Sequence, residues 1–240
     1  MIHPLTHIPT WHTASAQGPR SVNADAVGAY GDPGQTVFAL ADGVGDDHTA
    51  ARAARIACAA AVRTPPGEGP IAALLAAQRA VRADPAAGDC VLVVALPFAG
   101  GYRIGWVGDV RAYAWTRSTL RPLTKDHTLA EYFRDRGEEV VPRMEHIVTT
   151  SVRTAEATAF GRAEVRGLAG LLLTSDGVHK NLSLAAMAEL VRRAGNSAQS
   201  LVDSALAVGG TDNATALLAE LPPSPGPEPA TEAFTSPVAA

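Results

Sequence analysis

The sequence predicts an α+β fold in which helices cover antiparallel sheets, and three observations carry that reading. Six short runs rich in β-branched or aromatic residues, each bounded by Gly, Pro, Asp or Asn, read as strands. Two of them are joined through Ala-Gly-Gly at 99–101, a local hairpin signal. Hairpins make neighbours antiparallel and exclude a repeating βαβ protein with a parallel sheet. Two Ala-rich segments flanking a Pro/Gly break at 63–70 read as helices lying side by side.

In chain order, "TVFALAD" (36–42) is the first predicted strand. The helix pair follows in "DDHTAARAARIACAAAVR" (46–63) and "PIAALLAAQRAVR" (70–82), the second with Ile71, Leu74, Leu75 and Val81 at three- and four-residue steps. The hairpin is "VLVVALPF" (91–98) with "YRIGWVGD" (102–109). "RAYAWT" (111–116) adds a strand, and "WTRSTL" (115–120) marks another tight turn. "TLAEYFRDRG" (128–137) is predicted helical. "GLLLTSDG" (170–177) and "NATALLAEL" (213–221) are the last strands. Between them lie two helices, "SLAAMAELVRRAG" (183–195) and "SAQSLVDSALAVGG" (197–210), with Ser183 and Ser197 as N-caps and Gly195 and Gly209 as stops.

At 240 residues and 47% hydrophobic content the chain can bury one large core, expected as a single domain over 1–221. Residues 222–240, rich in Pro, Ser and acids, carry too little apolar surface to offset the entropy of ordering them, and are expected to be a disordered tail. The net charge of -4 is spread without a Lys/Arg run, which argues against nucleic acid as a partner. No apolar stretch approaches the roughly 20 residues that span a bilayer, and the first 18 residues lack the pattern of a signal peptide. The expectation is a cytoplasmic monomer with no membrane attachment. Cys58, in a helical stretch, and Cys90, at the head of an apolar run, read as reduced core residues.

Acids at strand ends are the chemical signal. Asp42 closes "VFALAD", Asp109 closes "YRIGWVGD", Asp176 closes "LLLTSD", and Asp212 precedes the last strand. A single Asp-Gly is an ordinary turn. Four carboxylates at the ends of apolar runs would repel one another unless cations or hydrogen bonds compensate. Mg²⁺ and Mn²⁺ take such oxygen ligands and keep several waters, so a few Asp side chains suffice.

Six segments in order, "RSVNAD" (20–25), "FALADGVG" (38–45), "GWVGDVRAYAW" (105–115), "LTKDH" (123–127), "LLLTSDGV" (171–178) and "GGTDNATALL" (209–218), resemble the motif series of the metal-dependent Ser/Thr protein phosphatases of type 2C. The resemblance covers roughly residues 18–221. It implies a four-layer αββα sandwich: two antiparallel sheets flanked by helix pairs, with two Mn²⁺ or Mg²⁺ ions at one end and room for a third. Asp42 would bridge the two metals, the Gly43 carbonyl would bind one, and Asp176 and Asp212 would complete the first metal's shell. Asp109 resembles the ligand of a third, weaker metal. Asp25 matches the acid that supports a water of the centre, and Arg20 the arginine that grips the substrate phosphate, which its planar fork can hold at two oxygens. The implied activity is hydrolysis of phosphoserine and phosphothreonine in phosphoproteins, opposing a Ser/Thr kinase.

The match departs from the family in places. Ala24 stands where Glu is usual, Asp46 follows Gly45 in place of Gly, Val110 replaces Ser, and His179 and Lys180 stand where an acid or small residue is frequent. Val44 occupies a place where some relatives carry a His. Asp46 would add negative potential or cap the next helix. His127 and His146 read as polar loop residues rather than proton donors. The alternative readings are a weak or inactive phosphatase-like domain that binds a phosphoprotein partner, and a two-metal hydrolase of small phosphate esters. Cysteine-based phosphatase chemistry is excluded, since neither cysteine heads a loop ending in Arg.

Overall fold

The structure is a computed structural model that describes residues 11–32, 34–116, 119–167, 170–192 and 197–219. The expected tail at 222–240 and the predicted stop at Gly195 lie outside the described residues. Ten strands form two five-stranded antiparallel sheets. The first has the order β1 (Trp11–Ala16), β10 (Ala214–Ala219), β9 (Gly170–Thr174), β6 (Arg111–Trp115), β7 (Leu120–Pro122). The second runs β2 (Asp25–Tyr30), β3 (Val37–Gly43), β4 (Cys90–Phe98), β5 (Gly101–Val107), β8 (Gly161–Arg166).

The side-chain period of two divides each buried strand between two cores. Phe38 and Leu40 of β3, with Val91, Val93 and Ala95 of β4, meet Leu171, Leu173 and Leu217 in the space between the sheets. Val37, Ala39 and Ala41, with Leu92, Val94 and Leu96, face the opposite way onto α1 (His48–Ala61) and α2 (Gly69–Ala83). Leu172, Ala214, Ala216 and Leu218 likewise pack against α5 (Leu184–Arg192) and α6 (Ala198–Ala207). Helix pair, sheet, sheet and helix pair form the four layers that the resemblance implies. Six of the eight alanines of α1 are buried, and their small size lets the helix lie close to β3.

The predicted hairpin forms with Phe98 opposite Gly101, and Gly100 takes the positive φ of 80° that the tight turn demands. Ser197 caps α6 by accepting from the Ser200 N–H, and Ser183 Oγ accepts from the Ala186 N–H ahead of α5. Two local expectations are corrected. Asp47, not Asp46, caps α1, its Oδ1 accepting from the N–H groups of Thr49 and Ala50. The run 170–177 does not stay extended: β9 stops at Thr174, and Asp176–His179 forms one helical turn, α4. The helix over 128–137 is confined to α3 (Leu129–Arg134). Among the described residues no helix is long and apolar enough to cross a membrane. Cys58 and Cys90 are free and buried, and burial pushes the Cys58 thiol up to about 12.

Leu40 sits at the middle of the inter-sheet layer with no exposed surface. Leu40→Ala is expected to cost about 2–5 kcal/mol in urea unfolding. Trp11→Ala, on an exposed edge position, should cost clearly less; equal losses would contradict the layer assignment.

Candidate metal centre

Five separate segments deliver carboxylates to one end of the sandwich. Asp25 opens β2 and stands directly opposite Asp42 of β3 in the strand register. Asp109 follows the end of β5, Asp176 begins α4, and Asp212 lies two residues before β10. Asp42, Gly43, Asp109, Asp176, Asp212 and Arg20 line one cleft of about 150 Å³. Asp25 is buried beside them. A larger cleft of about 550 Å³ shares Asp176, Asp212 and His146 with the first and adds Arg111, Arg134 and Lys180.

The supports are as specific as the acids. Ser175 Oγ donates to Asp25 Oδ2 at 2.8 Å and accepts from the Thr215 N–H at 2.9 Å, tying β2, β9 and β10 together. Asn213 latches the N-terminal motif onto β10: its Nδ2 donates to the carbonyls of Gln17 and Val22, and its Oδ1 accepts from the Ala24 N–H at 2.7 Å. The Gly43 N–H donates to the Ala24 carbonyl at 3.1 Å. A Cβ on Gly177 would stand 1.9 Å from the Asn213 carbonyl oxygen, so only glycine lets α4 lie this close to β10. Arg111 forks onto both oxygens of Asp126 at 2.8 and 2.7 Å. His127 donates its N–H to the Gly108 carbonyl and accepts the Gly108 N–H at Nδ1. The "KDH" segment thus clamps the loop that carries Asp109. Burial lowers the His127 pKa, in keeping with a neutral, accepting ring.

Electrostatically the cluster is strained. Burial, then repulsion from Asp25, Asp176, Asp109 and Asp212, pushes Asp42 well above the usual carboxylate range. Burial lifts Asp25 to about 7, opposed by the hydroxyls of Thr215 and Ser175 nearby, and its Oδ1 is buried with no hydrogen-bond partner. Burial also raises Asp109, opposed by the positive charge of Lys180. Two cations of the chain answer part of this charge. Arg20 Nη2 contacts Asp212 Oδ2 at 2.7 Å, while its Nε donates to the Thr211 carbonyl. Lys180 Nζ bridges Asp109 Oδ2 at 2.6 Å and Asp176 Oδ2 at 2.9 Å.

With three carboxylates drawn to these two side chains, no three His, Cys, Asp or Glu side chains among the described residues stand as a ready metal cage. The donor chemistry nonetheless fits a hard divalent cation. It is rich in carboxylate oxygen and free of thiolate, and one buried Asp25 oxygen lacks a partner. The sequence reading did not single out Ser175, Asn213 or the pairing of Lys180. Asn213 and Ser175 each adjoin a named Asp, the one signal that could have marked them. The Ala24 side chain is sealed against Ala50, Ala51 and Val22.

The architecture is that of the type 2C Ser/Thr phosphatases. No protein-family model and no curated protein matches the sequence. Among solved structures, the Mycobacterium tuberculosis serine/threonine phosphatase PstP is 26% identical, with a TM-score of 0.74 over 89% of this chain and 98% of that one. A PstP catalytic domain in complex with two manganese ions is 27% identical, with a TM-score of 0.73 over 88% and 97% of the two chains. The Staphylococcus aureus phosphatase Stp1, at 19% identity, superposes with a TM-score of 0.75 over 92% of this chain and 98% of its own.

Because the pKa of Asp25 in the fold lies near 7, above its ordinary 3.8, the folded protein holds a proton that the unfolded chain releases between those values. Stability of metal-stripped protein should therefore fall as pH rises from about 4 to 7 and stay reduced above it. Asp25→Asn should flatten that slope in denaturant titrations at pH 5.5 and 8 with chelator present. An unchanged slope would show that Asp25 does not titrate in this window.

Proposed function

We propose that this chain is a divalent-metal-dependent phosphatase acting on phosphoserine and phosphothreonine in proteins. The observation that carries the reading is the convergence of Asp25, Asp42, Asp109, Asp176 and Asp212, from five segments, beside an arginine and an open cleft. The likeness to PstP and its manganese-bound catalytic domain supports it. Asp42, Gly43, Asp176 and Asp212 are the residues that would hold Mn²⁺ or Mg²⁺. Such ions supply Lewis-acid neutralisation of phosphate charge and a water of lowered pKa.

The remaining work falls to the chain itself. Arg20 stands at the rim, where its guanidinium can exchange the Asp212 carboxylate for two phosphate oxygens of the substrate. Asp25 Oδ1 is buried and unpartnered, a ready acceptor for a proton of the attacking water. As the water oxygen bonds to phosphorus, the P–O bond to the serine or threonine oxygen breaks, and that oxygen leaves toward the larger cleft. Val44, half-exposed beside the cleft, offers no proton, so the leaving oxygen draws one from water or another group. The substrate is a phosphoprotein reached from the cytoplasmic side, in opposition to a Ser/Thr kinase.

A second reading, a phosphoprotein-binding domain with little turnover, is favoured by Ala24, whose sealed apolar seat leaves no carboxylate where the family carries one. Release of phosphate from p-nitrophenyl phosphate and from a phosphoseryl peptide separates the two. Turnover is expected only with Mn²⁺ or Mg²⁺, and Asp42→Ala should lower it by more than about 100-fold, since even losing a ligand's hydrogen-bond partner costs 10–100-fold. Arg20→Lys should raise KM more than it lowers kcat. Wild-type turnover no greater than that of Asp42→Ala, at saturating Mn²⁺, would give the field to the binding reading.

A further inference from the structure

We propose that Lys180 is a resident counter-ion of the carboxylate cluster. Its ammonium holds the place between Asp109 and Asp176, so the chain binds one divalent ion fewer than its carboxylates could hold. The inference rests on reading the cluster as a metal centre. Lys180 Nζ meets Asp109 Oδ2 at 2.6 Å and Asp176 Oδ2 at 2.9 Å, with side-chain exposures of 16% for the lysine and 5% and 18% for the two acids. An ammonium is a compact charge with three donors, and two of them are used here. A divalent ion seated between the same two oxygens would need them at about 2.0–2.1 Å. It would also meet a positive charge already lying there, so the two cations exclude each other.

The main chain around Lys180 is fixed. Its N–H donates to the Asp176 carbonyl at 2.9 Å, the Asn181 side chain donates to the Gly177 carbonyl at 2.8 Å, and His179 is buried directly before it. The i, i+4 spacing from Asp176 across the one-turn helix places the lysine back over the acid that opens it. Arg20 differs in each respect: its side chain and that of Asp212 are 38% and 36% exposed, so the Asp212 side of the cluster opens without burying a lone charge. The protein thus assigns one part of the cluster to a permanent cation and leaves the part built from Asp42, Gly43 and Asp212, with the Asp176 oxygen that Lys180 does not contact, to exchangeable ones.

Mn²⁺ stoichiometry, read by equilibrium dialysis with metal analysis and by native mass spectrometry, tests this in the wild type, Lys180→Met, Lys180→Ala and Lys180→Arg, each checked for fold by circular dichroism. Both neutral variants should bind one Mn²⁺ more than the wild type, and Lys180→Arg the wild-type number. Metal-stripped Lys180→Met should melt below the metal-stripped wild type and gain more from added Mn²⁺. Equal stoichiometry in wild type and folded neutral variants would overturn the proposal, even with lower melting temperatures, because that pattern marks a merely structural ion pair. In that case Asp42→Ala, by reducing binding in every background, would show that the metal centre itself stands. Absence of Mn²⁺ binding in all of these proteins would overturn both readings together.

Discussion

Like charges facing one another in a buried place are the constraint around which this end of the molecule is organised. Asp25 and Asp42 are direct cross-strand partners, an arrangement that destabilises a sheet when both are ionised. Asp109, Asp176 and Asp212 add to the same field. A fold does not collect such groups for stability; a core of similar volume without them would serve better. The cluster persists because the surrounding structure over-determines it. The Ser175 hydroxyl, just past the end of β9, binds Asp25, Asn213 pins the N-terminal loop to β10, and the glycine at 177 lets α4 and β10 approach. Protons or cations must supply the rest.

The two protein cations that respond are not equivalent. Arg20 and Asp212 meet near the surface, where water screens the pair and its net contribution is small. Lys180 lies deeper, and although burial works against its charge, Asp176 and Asp109 outweigh that effect and raise its pKa. An outer pair that opens easily would suit the proposed trade of a carboxylate for a phosphate. An inner bridge that does not open suits a fixed part of the electrostatic frame. Depth alone separates the two roles.

What was legible in the sequence follows the same physics of burial. The six predicted strands are β3, β4, β5, β6, β9 and β10, the interior strands of both sheets, buried on two faces and therefore written as apolar runs. The four unpredicted strands, β1, β2, β7 and β8, are the four sheet edges. "WHTASA" and "GRAEVR" are largely exposed and polar, the composition that keeps an edge from pairing with another chain, and so they carry no strand signature. The acids of the cluster were legible because strand ends mark them. Their convergence came from the order of short motifs, which no single motif supplies. Lys180 was visible as a departure from the family pattern, but its meaning depended on α4, which the sequence reads as a continuation of β9; only a helical turn brings residue 180 back over Asp176.

Ala24 shows why a departure in a motif cannot be read as a simple deletion. The usual acid at this place would project a charge, whereas here the side chain is closed against Ala50 and Ala51 of α1 while the backbone keeps both of its bonds, to Asn213 and to Gly43. The neighbourhood is repacked around a methyl group, so restoring Glu would press a charge into apolar contact. In a phosphatase of the proposed kind, handling of the attacking water would then fall to Asp25, the carboxylate whose second oxygen the fold leaves without a partner. With Ala24 in place of an acid, Lys180 added and Asp46 in the cleft lining where glycine is usual, such a site carries one unit less negative charge than the family pattern toward any cations it binds. It should hold them more weakly while keeping the same geometry of approach, so the distinction between a slow enzyme and a binding domain becomes a matter of metal occupancy rather than of fold.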